Sequence, residues 1–204
     1  MRMTAKNLIG TLVIVSLSAV YGIAQDITLP NPQKTGGKPL VDAISQRQTS
    51  REFSSGDLDM QTVSDLLWAA YGFNREDRRV IPTALNKQEL SVYVFLKSGI
   101  YLYDAKDNKL LLKVAGDQRK LAGTQPFVPA APLSLVYVGD TDKVDSGHSF
   151  FSSGCASQNV SLVAASKGLA CGVRASIDHD ALSKALKLTG KQVILMGQSV
   201  GKPK

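Results

Sequence analysis

The stretch GHSFFSSGCASQNVSLVAAS, Gly147–Ser166, runs for twenty residues without an Asp, Glu, Lys or Arg. Ala, Ser, Gly and Val alternate there with Phe150, Phe151 and Leu162. A helix with so little charge on any side has no face to give to water, so it should be covered all round. In one small domain that position is the centre of the fold or an interface between subunits.

The segments around it have different periods. DHDALSKALKL reads as an amphipathic helix capped by Asp178, GVRASI before it as a strand or edge segment, and KQVILMGQSVG as the last strand. Upstream, PLSLVYVGD (Pro132–Asp140) has the near-continuous apolar run of a buried strand. From Leu90 to Val114, β-branched and aromatic runs at Leu90–Leu96, Ile100–Tyr103 and Leu110–Val114 are separated by turn residues, which predicts a β-meander. DLDMQTVSDLLWAAYGF is a helix with Asp59 as cap, Met60, Val63, Leu66, Leu67 and Ala70 at helical spacing, and Gly72 at its stop. PLVDAISQ places Leu40, Val41 and Ile44 on one face of a short helix. Helices first and strands after, without a repeating βαβ pattern, give an α+β class with one domain over residues 39–204. Residues 25–38, rich in Pro, Gly and polar side chains, predict an extended leader crossing the surface outside the core.

Residues 1–24 read as a secretory signal peptide: Arg2 and Lys6 precede an apolar run from Leu8 to Val20, and small residues follow at Gly22 and Ala24. The run is short for a membrane span, so cleavage after Ala24 and a periplasmic or secreted destination are expected, with no membrane attachment afterwards. The formal net charge of +7 is spread in mixed sign without a long basic block, which argues against nucleic acid and weakly for an anionic ligand. Cys155 and Cys171 are the only cysteines. A helix leaving Cys155 travels about 18 Å by Lys167 at about 1.5 Å per residue, and four residues at roughly 3.3 Å barely bring Cys171 back. Two small buried hydrophobes are the favoured reading over a disulfide. His148 has no second ligand at metal spacing, and Ser152, Ser153 and Ser157 have no base nearby in sequence, so neither a metal site nor hydrolysis is supported.

ISQRQTSREF, Ile44–Phe53, sets Arg47 and Arg51 around Thr49 and Ser50. Two guanidinium forks and a hydroxyl satisfy most acceptors of a phosphate, whereas a solvated turn paired to Glu52 or Asp57 is the plainer alternative. Together with LLWAAYGFNREDRRVIPTALNKQELSVYV, GCASQNVSLVAASKGLACGVRASID and LMGQSVGKPK, this stretch resembles the nitroreductase-type FMN-dependent oxidoreductases, in the family's order from about Leu40 to the end. LLWAAYGFNR and VIPTALNKQ look closest to compact branches that include dehydrogenases acting on ring-modified peptides.

The resemblance implies a central, mostly antiparallel sheet flanked by helices, with a long buried helix, and a homodimer holding FMN at its interface. It places the FMN phosphate on Arg47, Thr49 and Arg51, with Gln48 where the family has a second arginine. PTALNKQ resembles the loop along the flavin, with Pro82, Thr83, Asn86 and Gln88 matching and Glu89 replacing the family's proline. Taken alone, Asn86 is equally a polar turn residue. Ala175 and Ser176 fall where backbone N–H groups face flavin N5. Arg174 has two readings, a cation near the ligand or an exposed strand residue. Lys202 stands where family members return a basic residue to the phosphate, against the alternative of a frayed tail. The implied activity is hydride transfer through flavin N5 to or from a small-molecule substrate, with NAD(P)H as a possible electron donor. An exported chain meets little reduced nicotinamide cofactor, so a non-enzymatic flavin- or small-anion-binding module on the same scaffold is the alternative. The loops Phe73–Arg79 and Asp142–His148 are the expected determinants of the substrate pocket.

Overall fold

The computed structural model describes residues 25–204, and the predicted signal segment lies outside them. In chain order the elements are β1 (Ile27–Thr28), α1 (Leu40–Gln46), α2 (Met60–Tyr71), β2 (Phe73–Arg75), β3 (Arg78–Arg79), β4 (Leu90–Leu96), β5 (Gly99–Asp104), β6 (Lys109–Ala115), β7 (Leu133–Asp140), α3 (Ser146–Ser166), β8 (Ala170–Arg174), α4 (His179–Leu186) and β9 (Gln192–Gly201). Seven strands form one antiparallel sheet in the order β1-β6-β5-β4-β7-β9-β8, and β2 pairs with β3 in a separate hairpin. The α+β class and the antiparallel sheet flanked by helices are as the sequence predicts.

Local chemistry sets the helix ends. The Asp59 carboxylate accepts from the Thr62 N–H at 2.7 Å, and Asp178 does the same for Ala181 at 3.0 Å. Both satisfy backbone donors that the first turn leaves open. Gly72 closes α2, and a side chain is excluded there because a Cβ would sit 2.3 Å from Trp68 Cδ1.

Apolar residues run continuously in the central strands because both sheet faces are covered. Leu133, Leu135 and Tyr137 of β7, with Val92 and Val94 of β4, join Val63, Leu66 and Leu67 of α2 and Ala156 and Val160 of α3. The intervening Val136, Val138, Tyr93 and Phe95 join Ile177, just before α4, and Leu182 of α4 on the other face. Each fully buried large side chain contributes about 1.5–3 kcal/mol, so the two layers together hold the sheet.

Two expectations change. The leader is not outside the core: β1 pairs with β6, Leu29 is buried in the α2–α3 cluster, and the Ser64 hydroxyl donates to the Pro30 carbonyl. Ile27, Thr28 and Leu29 are too short a run among Pro, Gly and polar residues to declare a strand, and the partner strand that recruits it lies about 80 residues away in the chain. Nor is α3 covered on every side in the single chain. Ser149, Ser152, Ser153, Ala156, Val160 and Ala164 face inward, while Phe150 and Phe151 are 46% and 61% exposed. α1 likewise leaves Leu40, Val41 and Ile44 exposed.

Candidate functional site

α1 ends at Arg47, whose backbone turns extended, and the chain then runs along the sheet edge. The Ser50 N–H donates to the Cys171 carbonyl of β8 at 2.9 Å, and the Ser54 N–H donates to the Lys202 carbonyl at 3.0 Å. Phe53 bridges to Pro203. The start and the end of the domain therefore meet beside β8, and the C-terminus is paired there, not frayed.

The meeting point frames a polar cleft of about 530 Å³ lined by Arg47, Gln48, Ser50, Lys38, Cys171 and Pro203, among others. Among the described residues, Arg47 and Arg51 form no ion pair, so the salt-bridged turn to Glu52 or Asp57 is not what the chain builds. Lys38 adds a second cation, its Nζ donating to Gln46 Oε1 at 2.5 Å and Ala165 O at 3.4 Å. Thr49 and Arg51 are exposed and do not line the cleft; their aliphatic atoms lie over Gly172. Ser50, the second hydroxyl of the Thr49–Ser50 pair, faces it instead.

A buried polar network holds the cleft's back wall. The Tyr137 hydroxyl donates to Gln198 Oε1 at 2.7 Å, and Gln198 Nε2 donates to Ser157 O at 2.9 Å, Ser161 Oγ at 3.1 Å and Cys171 Sγ at 3.1 Å. Four elements are thereby tied behind one wall. Burial pushes the Cys171 thiol up, against the opposing pull of Gln198, Ser161 and the Arg47 charge. Cys155 is elsewhere, half-buried beside Phe150 and Phe151.

Pro82, Thr83 and Asn86 line a different hollow, of about 620 Å³, with Arg75, Arg78 and Arg79. Within one chain this loop and Arg47 share no cleft. The loop is built tightly. Leu85, Asn86 and Gln88 all have left-handed backbones, at φ of 49°, 55° and 49°. Non-glycine residues there cost about 1–2 kcal/mol each and persist only where surroundings enforce them. Asn86 Nδ2 and Gln88 Nε2 both donate to the Asp77 carbonyl, at 3.2 and 2.9 Å, and Arg79 Nε donates to Gln88 Oε1 at 2.9 Å. The carboxamides thus anchor the loop to the β2–β3 hairpin. Arg79 is itself clamped between rings, 4.2 Å from Tyr71 and 3.9 Å from Phe73, and burial draws its pKa down.

Arg174 corrects the sequence reading. It is neither an exposed strand residue nor a cation turned to the cleft, but 6% exposed, with Nη2 and Nε donating to the Ala122 carbonyl at 2.8 and 3.2 Å and Nη1 to Ser199 Oγ at 2.9 Å. Burial lowers its pKa to about 10. A β-strand turns alternate side chains to opposite faces, and in this register Val173 takes the exposed side and Arg174 the covered one. Ala175 and Ser176 follow as an exposed turn, where the Ser176 carbonyl accepts from Thr124 N–H.

A family model described as the Nitroreductase family matches residues 44–202. A Methanocaldococcus jannaschii protein named as a candidate nitroreductase is 27% identical over 194 residues, covering 86% of this chain and 96% of the relative. The crystal structure of a candidate nitroreductase from Ralstonia eutropha has a TM-score of 0.82 at 33% identity, over 88% of this chain and 90% of that one. A candidate nitroreductase from Desulfovibrio desulfuricans, solved in complex with FMN, shares the fold at a TM-score of 0.62 and 20% identity, over 82% of this chain and 88% of that one.

Proposed function

The chain belongs to the nitroreductase family, and from that premise we propose that it is an FMN-dependent oxidoreductase, moving hydride through flavin N5 to or from a small organic substrate. The observation that carries this reading is the unpaired Arg47 guanidinium in a polar cleft closed by both ends of the domain. That donor set suits a phosphate dianion: a planar fork, a lysine and a serine hydroxyl around one hollow. In this reading Arg47 and Ser50 take the phosphate from within the cleft, with Gln48 and Lys38 beside them. Thr49, Arg51 and Lys202 supply the outer positive and hydroxyl groups.

The protein's work is to bind, orient and keep out water. FMN, when bound, supplies a ring that accepts or gives hydride at N5. Pro82, Thr83, Asn86 and Gln88 would lie along the ring, and the Ala175 and Ser176 N–H groups would face N5. Since the loop and the Arg47 cleft are separate within one chain, the reading requires a homodimer in which each copy completes the other's site. The exposed apolar side chains support it: Val41 is 74%, Phe151 61% and Leu85 90% exposed, on the first helix, the charge-free helix and the strained loop. NADH or NADPH is the proposed electron donor, and export with cleavage after Ala24 the proposed route.

A second reading, a flavin- or anion-binding module without turnover, is favoured by one observation. Asn86 and Gln88 spend carboxamide donors on the Asp77 carbonyl, Gln88 Nε2 also donates to Asn86 Oδ1 at 3.1 Å, and less is left for the ring edge. Both readings meet one experiment. Residues 25–204 are purified and titrated with FMN: a flavin absorbance band that saturates supports binding, and protein that stays colourless sinks both. Anaerobic bleaching of that band by NADH or NADPH selects the oxidoreductase. Arg47→Ala weakens FMN binding by about 1.5–3 kcal/mol, the range for a hydrogen bond to a charged group, and unchanged affinity removes the phosphate assignment.

A further inference from the structure

A separate cleft of about 510 Å³ lies between the leader, α2, the β2–β3 hairpin and the β5–β6 turn. The rings of Trp68, Phe73 and Tyr103 line it, and the exposed Lys34, Arg75 and Lys106 stand around it. Its aromatic walls are already set. Trp68 Nε1 donates to the Phe73 carbonyl at 3.0 Å, the Arg79 guanidinium lies 3.9 Å from the Phe73 ring centre, and Tyr103 is only 8% exposed. Fixed walls lower the entropy a ligand must give up on binding.

The cations, by contrast, are unspent. Among the described residues, none of Lys34, Arg75 and Lys106 forms an ion pair. Arg75 bonds only to the Asn74 side chain, at 3.4 Å, and Lys34 Nζ sits 5.7 Å from the Trp68 ring centre. Glu76 is the sole carboxylate in the lining, so three positive charges face one negative. Rings alone would take any flat apolar molecule, and cations alone would take any anion. The combination selects a molecule that has both, and the volume is that of a small-ligand site.

We propose that this cleft binds a small aromatic carboxylate, its ring against Trp68 and Phe73 and its carboxylate on Lys34, Arg75 and Lys106. The cleft shares no lining residue with the Arg47 cleft, and it adjoins the Pro82–Asn86 hollow, with which it has Asn74 and Arg75 in common.

Trp68 is the only tryptophan in the chain, so its emission reports on this cleft alone. The purified protein is titrated with benzoate, with benzyl alcohol as the uncharged ring and inorganic phosphate as the ringless anion. Expected is a saturable change in Trp68 emission with benzoate, at least about tenfold weaker for either control, and weakened about tenfold by the Lys34→Ala, Arg75→Ala double variant, as loss of charge-assisted contacts predicts. Arg47→Ala leaves the benzoate titration unchanged, which separates this site from the flavin cleft. Both lost side chains are exposed, and an unchanged melting temperature verifies the fold. No saturable response to benzoate, equal binding of benzyl alcohol or phosphate, or undiminished binding in the double variant overturns the proposal.

Discussion

Gly172 lies so close under Ser50 that a Cβ on it would sit 2.9 Å from the Ser50 carbonyl oxygen. Its backbone is not left-handed, so the glycine is there for proximity and not for conformation. One residue away, the Ser50 N–H to Cys171 bond pins the same segment to β8. Gly172→Ala therefore pushes residues 49–51 off the strand and spoils the Arg47 cleft, at a cost of about 1–3 kcal/mol for overpacking against backbone. The expected result is an FMN affinity lowered about tenfold or more with a small drop in melting temperature. FMN titration beside a thermal melt checks it, and wild-type affinity would show that the close approach has no bearing on the ligand.

Arg174 is a structural staple. Its guanidinium joins the Ala122 carbonyl to Ser199, and Gly123 and Gly197 make room for it: a Cβ on Gly123 would meet Nε at 2.4 Å. Arg174→Ala leaves a buried carbonyl and hydroxyl short of donors and opens a cavity, partly offset by relief of a buried charge. We expect a loss of about 2 kcal/mol in denaturant unfolding. FMN affinity should hold in the protein that remains folded.

Alkaline stability follows from the buried phenols. Burial pushes Tyr71 and Tyr103 up to about 12 from an ordinary 10, and Tyr137 well above it. Below pH 10 the phenols are protonated in both states and stability is complete. Between 10 and 12 the unfolded chain gives up these protons while the folded one keeps them, so folding loses about 1.4 kcal/mol per pH unit per tyrosine. Arg174, lowered to about 10, and Arg79, also drawn down by burial, act in the opposite direction, against the phenols of Tyr71, Tyr93, Tyr103 and Tyr137. Denaturant midpoints should hold to about pH 10 and then fall steeply, with tyrosinate absorbance rising only as the chain unfolds. Phenols that titrate near 10 in the folded protein would contradict the burial described.

The exposed apolar side chains on α1 and α3 bear on assembly. Val41 and Phe151 contribute nothing to the core of a single chain, so Val41→Asp and Phe151→Asp should leave monomer stability within about 0.5 kcal/mol. If each copy completes the other's site, both substitutions give a monomer by sedimentation and a loss of bound FMN. A dimer that persists in both variants would place the interface elsewhere.

Most element boundaries were legible because they rest on local rules. The Asp59 and Asp178 caps, the glycine after Tyr71 and the runs of β4 to β7 each need only a few neighbouring residues to declare themselves. The clamp was legible in part. Arg47 was recognisable from its spacing, but the hydroxyl facing the cleft is Ser50 and not Thr49, because the bond from Ser50 N–H to β8 decides which side chain turns inward. No signal in RQTSREF reports that register. Lys38 was passed over because its cleft partners, Gln46 and Ala165, are brought together only when α1 packs on α3.

Hydrophobic period, caps and turn residues, acting within ten or so residues, were enough to give an α+β chain with a charge-free helix and a cationic turn after its first helix. Which face of α3 is covered, that Leu29 is core, that Arg174 turns inward, and that the clamp and the Pro82–Gln88 loop lie in separate hollows were decided by pairings between distant segments. For Arg174 that pairing is the register of β8 against β9, and a shift of one residue would have turned its side chain to the opposite face.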